Sequence, residues 1–335
     1  MTMTKLIHQR GMSLVELMVA MVISLFLSAG LFTMFNMSSS NVTTTSQFNQ
    51  LQENGRIALT LMERDINQLG FFGDLTGTEM ILNTNTTNSA TAVTSDCVGG
   101  GVNNETFPEN VPAHFRRLWG FEYKTTVEIN CNSALTPDKG TDIIQVKRLM
   151  GPSLAAADLE SNRYYASVTS NEIEFFNGSA TPPTKLNSRL WEYQHHVYFV
   201  ETDNNIPVLK RRSLNISNGM SNEEQLVEGI ENLRFMYGFD NDGDSTPDVF
   251  LPAEDVSTFM WDNQGFQRLV AVKIFVLVRS VQPDRTYSND VTYTLGDKEI
   301  SGASSANSSD PNYEHYRRRV MSTTVVLENP VLIRT

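Results

Sequence analysis

The chain has 335 residues, 40% of them hydrophobic, and a formal net charge of −12. That much apolar material supports one large folded domain or two small ones and excludes a disordered chain. The acidity excludes nucleic-acid binding by bulk attraction, which needs a basic face on the protein.

The first eleven residues hold Lys5 and Arg10 and no acid; without them 24 basic residues stand against 38 acidic ones, a net charge of −14. From residue 12 to 35 the chain is almost wholly apolar. At about 1.5 Å per residue such a helix crosses a hydrocarbon core of about 30 Å. The basic residues ahead of it keep the leader cytoplasmic and send everything after Phe35 outward. A secretory signal peptide would instead be cut beyond the apolar run, at small residues such as Ser28, Ala29 and Gly30. One ionisable residue, Glu16, interrupts the run. A carboxylate near the centre of a membrane helix costs about 2.5–3.5 kcal/mol. Glu16 therefore either stays wet at the interface or meets a counter-charge.

The string Gly11, Met12, Ser13, Leu14, Val15, Glu16, Leu17, Met18, Val19, Ala20 resembles the processing site of type IV prepilins and pseudopilins. The resemblance implies that a prepilin peptidase cuts after Gly11 and N-methylates Met12. It also implies that the Glu16 carboxylate sits beside the N-terminal amine of a neighbouring subunit. The departure is Met12, where the family usually carries Phe.

Beyond Phe35 the composition turns polar, yet no proline appears until Pro108. A helix can therefore continue, and Phe48, Leu51, Ala58, Met62, Ile66 and Leu69 form the stripe of an amphipathic helix over 36–73. Gly70 and Gly73 end it. Gly55 has no helical rationale, costing about 1 kcal/mol against alanine. The wording Gln52, Glu53, Asn54, Gly55, Arg56, Ile57, Ala58, Leu59, then Arg64, Asp65, Ile66, closing on Gly70, Phe71 and Phe72, resembles the PilW family of minor pilins.

Residues 74–140 read as a loop-rich insertion carrying Cys97 and Cys131. In an oxidising compartment these two form one disulfide, and in the cytosol they are two thiols. From 141 to 335 strands dominate, with runs at 144–148, 173–176, 197–200 and 208–214. The firmest covers 269–279, where both faces are largely apolar and a central position in the sheet is expected. The polar stretch 302–312 reads as a flexible linker. A last strand over 317–327 opens on Arg317, Arg318 and Arg319, read as a solvated strand entrance. The sequence from Tyr316 to Val325 also resembles the PilW type.

Asp240, Asp242, Asp244 and Asp248, with Gly243 and Thr246 between them, place acids at alternate positions in a short loop. Calcium needs six to eight oxygens at about 2.3–2.6 Å, and four carboxylates with the Thr246 carbonyl form such a set. The string resembles acid-rich calcium loops, departing from the EF-hand in its glycine position and in having Leu251 at position twelve. Glu254 or Asp255 then completes the shell. The other reading is a solvated turn between strands. No GxSxG, HExxH or phosphate-binding glycine loop is present, and His195 and His196, adjacent on a strand, point to opposite faces. The chain is read as no enzyme.

These features sum to an α+β fold. A long N-terminal helix, transmembrane in its first half and amphipathic in its second, packs on an antiparallel β-sheet head. The resemblance implies a minor pilin that helps initiate or cap a type IV pilus, held in the bacterial inner membrane before assembly with its head in the periplasm. It further implies as partners other minor pilins, the major pilin, the inner-membrane assembly platform and a tip adhesin, and a setting of twitching motility and cell adhesion. Direct nucleic-acid binding is not expected. The alternatives are a J-type pseudopilin of type II secretion, and a pilus-borne adhesin presenting the insert around Cys97 and Cys131.

Overall fold

The computed structural model describes residues 11–329 apart from 112, 132–134 and 306–309. The leader residues 1–10, and part of the stretch read as a flexible linker, therefore lie outside the described residues. The chain divides into two compact units, Met1–Asn49 and Gln50–Thr335, and helix α1 runs Leu14–Asn67.

In the first unit α1 carries its apolar side chains in the open. Leu14 is 77% exposed, Phe26 73% and Phe35 72%. Phe48 is also exposed, outside the buried stripe that its spacing suggested.

In the second unit α1 continues as one wall of the core. Leu51, Ala58, Met62 and Ile66 are each at most 1% exposed, the spacing of one helical face. Gly55 lies on that face. A Cβ there would come 2.4 Å from Met321 Sδ and 2.9 Å from Val278 Cγ2, so its absence lets helix and sheet approach closely. The helix ends at Asn67, and Gly70 turns away at φ +75° with the Asn329 carbonyl where a side chain would stand.

Sixteen strands follow among the described residues: β1 (Thr86–Asn88), β2 (Cys97–Val98), β3 (Leu118–Tyr123), β4 (Asn130–Cys131), β5 (Thr141–Leu154), β6 (Tyr164–Val168), β7 (Ile173–Asn177), β8 (Arg189–Asp203), β9 (Ile206–Asn215), β10 (Gly219–Glu228), β11 (Ile230–Asp240), β12 (Val249–Pro252), β13 (Arg268–Arg279), β14 (Thr292–Leu295), β15 (Lys298–Ser301) and β16 (Arg318–Val326). They form an eight-stranded sheet in the order β1-β7-β6-β8-β5-β3, with β9 joined to β8 and β10 to β9. A four-stranded sheet runs β12-β11-β13-β16, and two two-stranded sheets pair β14 with β15 and β2 with β4. Apart from the parallel β1–β7 pair, the pairings in the larger sheet are antiparallel.

The segment read as an insertion contributes β3 to the larger sheet, in register with β5 from Leu118↔Val146 to Tyr123↔Thr141. Its polar surroundings hid that strand. The strand expected over 269–279 lies between β11 and β16, with Val272, Ile274, Val276 and Val278 buried. Of the three arginines at the start of β16, only Arg319 is exposed. Arg318 is buried, its Nε 2.5 Å from Glu231 Oε2 and its guanidinium 4.0 Å from the Tyr313 ring centroid, and Arg317 Nη2 donates to Asp284 Oδ2 at 2.8 Å. Strand alternation turns Arg318 inward, which the reading as a solvated entrance did not allow for.

One buried polar cluster fixes α1 to the larger sheet. Asp65, 4% exposed, receives Arg148 Nη2 at 2.5 Å on one oxygen. Its other oxygen takes His196 Nδ1 at 2.5 Å and the Tyr198 hydroxyl, while Arg148 Nη1 donates to Gln68 Oε1 at 2.6 Å. Burial alone would push the Asp65 carboxyl upward. The hydrogen bond and charge of His196, the charge of Arg148 and the Tyr198 hydroxyl outweigh burial and hold it well below the usual carboxylate range.

A carboxyl depressed in the fold stabilises fully above its unfolded pKa of about 3.9, and that stability is lost as pH falls toward the folded value. Asp65→Asn should therefore destabilise the protein by about 3–5 kcal/mol at neutral pH. The difference from wild type should shrink below about pH 4, read by denaturant unfolding across a pH series. A difference that does not change with pH contradicts this account of Asp65.

Candidate functional site

The start of α1 is built by its own sequence. Ser13 sits just ahead of the helix, and the Glu16 N–H donates to Ser13 Oγ at 3.2 Å. In return the Ser13 N–H donates to Glu16 Oε2 at 2.9 Å. These two bonds form a reciprocal capping box, which satisfies two of the N–H groups that a helix start leaves unpaired. The pattern Ser-x-x-Glu announces it in the sequence, where Glu16 was read only as an isolated membrane charge. Gly11 and Met12 precede the box, both exposed, with nothing among the described residues within 4 Å of where a Gly11 Cβ would stand.

Beyond the box, α1 is long and apolar enough to cross a membrane, with a mean hydropathy of 2.3 in its most apolar stretch. Each large apolar side chain fully removed from water contributes about 1.5–3 kcal/mol. A few such side chains outweigh the cost of desolvating Glu16. The segment can therefore hold a carboxylate in an apolar setting, close to a fixed backbone end.

The acidic loop lies between β11 and β12. Carboxylate oxygens of Asp240, Asp242 and Asp244 fall within 4.8 Å of one another. Asp240 is buried at the end of β11 and accepts the N–H groups of Gly243 at 2.6 Å, Ser245 at 2.8 Å and Asp242 at 3.0 Å. The Gly243 N–H, then those of Ser245 and Asp242 together with the charge of Arg268, hold its carboxyl below the ordinary value. Asp242 accepts from the Asp244 N–H at 3.2 Å, and Asp244 from the Thr246 N–H at 2.7 Å. Asp248 accepts from the Asn241 N–H at 2.7 Å and closes the base of the loop. Three of the five ligands named from sequence therefore converge. Asp248 and Thr246 take part in the loop's own hydrogen bonding. Glu254 is committed elsewhere, accepting Arg234 Nη2 at 3.0 Å, so it does not complete the shell. The converging donors are hard oxygens, matching calcium or magnesium chemistry and not that of soft metals.

Cys97 and Cys131 form a disulfide that joins β2 to β4 across 34 residues. Beneath it runs a network that sequence reasoning missed because its members lie far apart in the chain. The Gln145 amide donates to the Cys97 carbonyl at 2.9 Å and lies 2.8 Å from His195 Nε2, while Thr106 Oγ1 stands 2.7 Å from His195 Nδ1. Burial, then the charges of Lys147 and His196, push the His195 pKa well down, so this ring stays neutral. His196 faces the other way, onto Asp65. Both histidines are held by protein partners.

Two family models match the chain. The model described as Type IV Pilus-assembly protein W matches residues 197–329, which span β9 to β16 with the acidic loop. The prokaryotic N-terminal methylation motif matches residues 7–32, across Gly11, Met12 and Glu16. Together the two matches support a PilW-type minor pilin. No curated protein and no solved structure matches it. The PilW and pilin families are structural and non-enzymatic in general, and they associate with other pilus components. The methylation motif and the apolar half of α1 coincide, as membrane anchoring requires.

Closing a loop of 34 residues lowers the entropy of the unfolded chain by an amount equal to about 3–4 kcal/mol of stability. Cys97→Ser should lower the unfolding free energy of the head by that order, and a reductant should do the same to the wild type but not to the variant. Equal stability of wild type and variant under oxidising conditions contradicts it.

Proposed function

We propose that this minor pilin helps start or cap a type IV pilus. A prepilin peptidase cuts after Gly11 and methylates the amine of Met12. The observation that carries the reading is a helix apolar on all sides, exposed in isolation, with one carboxylate near its first turn and the motif glycine five residues before it. Such a helix needs a membrane first and a bundle of like helices afterwards.

In the bundle the N-terminal amine of one subunit lies against the Glu16 carboxylate of the next. One Glu16 oxygen holds its own helix cap and the other is available to the neighbour. The pairing removes the cost of an isolated charge in an apolar core. The head stays in the periplasm and then at the filament tip. Its partners there are other minor pilins, the major pilin and a tip adhesin, and the inner-membrane platform drives extrusion. Deleting the gene and scoring surface pili against exoprotein secretion separates this role from one in type II secretion, which predicts intact pili and lost secretion.

Glu16→Gln isolates the charge, because Gln retains the capping-box acceptor. This variant should accumulate in the membrane and leave surface pili reduced at least about tenfold by electron microscopy, an effect of the order lost when one partner of a buried pair is removed. Normal piliation in Glu16→Gln contradicts the ion-pair mechanism.

We also propose that Asp240, Asp242 and Asp244 hold a structural calcium ion, with Asp248 and the Thr246 carbonyl as further ligands. The ion would relieve repulsion among the carboxylates and pin the turn between β11 and β12. Saturating calcium should raise the thermal midpoint relative to EDTA by an amount equal to about 2–3 kcal/mol at a hundredfold excess over Kd. Asp242→Asn with Asp244→Asn should abolish the shift. A wild-type midpoint that is identical with and without calcium removes the proposal.

A further inference from the structure

Sheets must protect their outer strands, because an open edge presents unpaired N–H and C=O groups to any extended chain. In the head most outer strands carry a device for this. β12 has four residues and β1 three. β10 breaks its register twice and carries Glu223, Glu224 and Glu228. β16 has none of these. Its nine residues pair with β13 in unbroken register, from Arg279↔Arg318 to Ala271↔Val326. It contains no proline and no acid, and no charge beyond Arg319.

The flanking bonds fix which groups point outward. The Leu327 N–H donates to the Val270 carbonyl at 2.8 Å, and the Ser280 N–H donates to the Arg317 carbonyl at 2.8 Å. Odd-numbered residues of β16 therefore bond to β13, and the backbone groups of Val320, Ser322, Thr324 and Val326 face away from it. Among the described residues no strand pairs with that side. Ser322 and Thr324 are exposed, Val326 is 58% exposed, and Arg319 stands exposed at the other end without an ion-pair partner among the described residues.

We propose that the outer edge of β16 is a docking site for an extended segment of another polypeptide, added antiparallel as a further strand and carrying a carboxylate opposite Arg319. Backbone bonding by alternate residues supplies the affinity, and the arginine sets register and partner choice. A second copy of this chain fits less well. Twofold self-pairing centred on Ser322 places Arg319 opposite Val325, leaving both arginines unmatched, and it joins two molecules that each carry a net charge of −12. The site goes beyond the pilus role proposed above and does not depend on it.

The test uses full-length protein in detergent and a fluorescein-labelled peptide of alternating Thr and Val with one Glu near its C-terminal end. The peptide should bind saturably by fluorescence anisotropy. It should also slow amide hydrogen exchange at Val320, Ser322, Thr324 and Val326. Thr324→Pro removes an outward N–H but no bond to β13, so it should leave the thermal midpoint in place and weaken binding at least about tenfold. Arg319→Glu should favour the same peptide with Lys in place of Glu. Absence of saturable binding, equal affinity in Thr324→Pro, or protection elsewhere in the head overturns the proposal. A concentration-dependent dimer that Thr324→Pro abolishes would assign the edge to a second copy and overturn it equally.

Discussion

An apolar helix that water cannot tolerate and that carries one carboxylate is the constraint on which this molecule turns. The side chains of residues 14–35 gain free energy only when lipid or other helices cover them, and Glu16 loses free energy there unless something balances its charge. Both demands are met by the role proposed above: a membrane position before assembly, and a bundle afterwards in which a newly freed amine would meet the carboxylate. The capping box adds a detail to this scheme. Ser13 and Glu16 hold the first turn in place, so the carboxylate is presented from an ordered helix end and not from a frayed one.

The head answers a different problem, that of gripping the distal half of the same helix. It does so with close contact at Gly55 and a buried ionic cluster at Asp65. At Gly55 the missing side chain admits Met321 and Val278 of the smaller sheet. At Asp65, Arg148 of β5 with His196 and Tyr198 of β8 bind it to the larger sheet. The two positions lie on the same buried face, so one helix serves as the shared wall of both sheets. A tug on the helix is resisted both by shape and by a charge that cannot leave its partners cheaply.

Much of this was legible in the sequence where the signal was local. The leader motif, the apolar run, the buried face from Leu51 to Ile66 and the strand over 269–279 all show in spacing alone. Contacts between distant residues were not legible. Gly55 looked like a flaw because Met321 is far along the chain. The role of Asp65 left no local trace because its partners are 83 to 133 residues away. β3 was missed because a polar, cysteine-bearing stretch surrounds six residues that pair only once β5 is in place. Arg318 was read as solvated because three arginines in a row suggest a wet surface, whereas a strand sends neighbours to opposite faces. The Ser-x-x-Glu box was visible and went unread, eclipsed by the meaning given to its glutamate.

The central claim is that the mature chain begins at Met12, with a modified amine positioned to meet Glu16. Mass spectrometry of the N-terminal peptide from protein purified out of the native membrane tests it most directly. The account predicts a peptide that starts at Met12 and carries one added methyl group. A chain that still begins at Met1, or one that begins beyond Phe35, would contradict it.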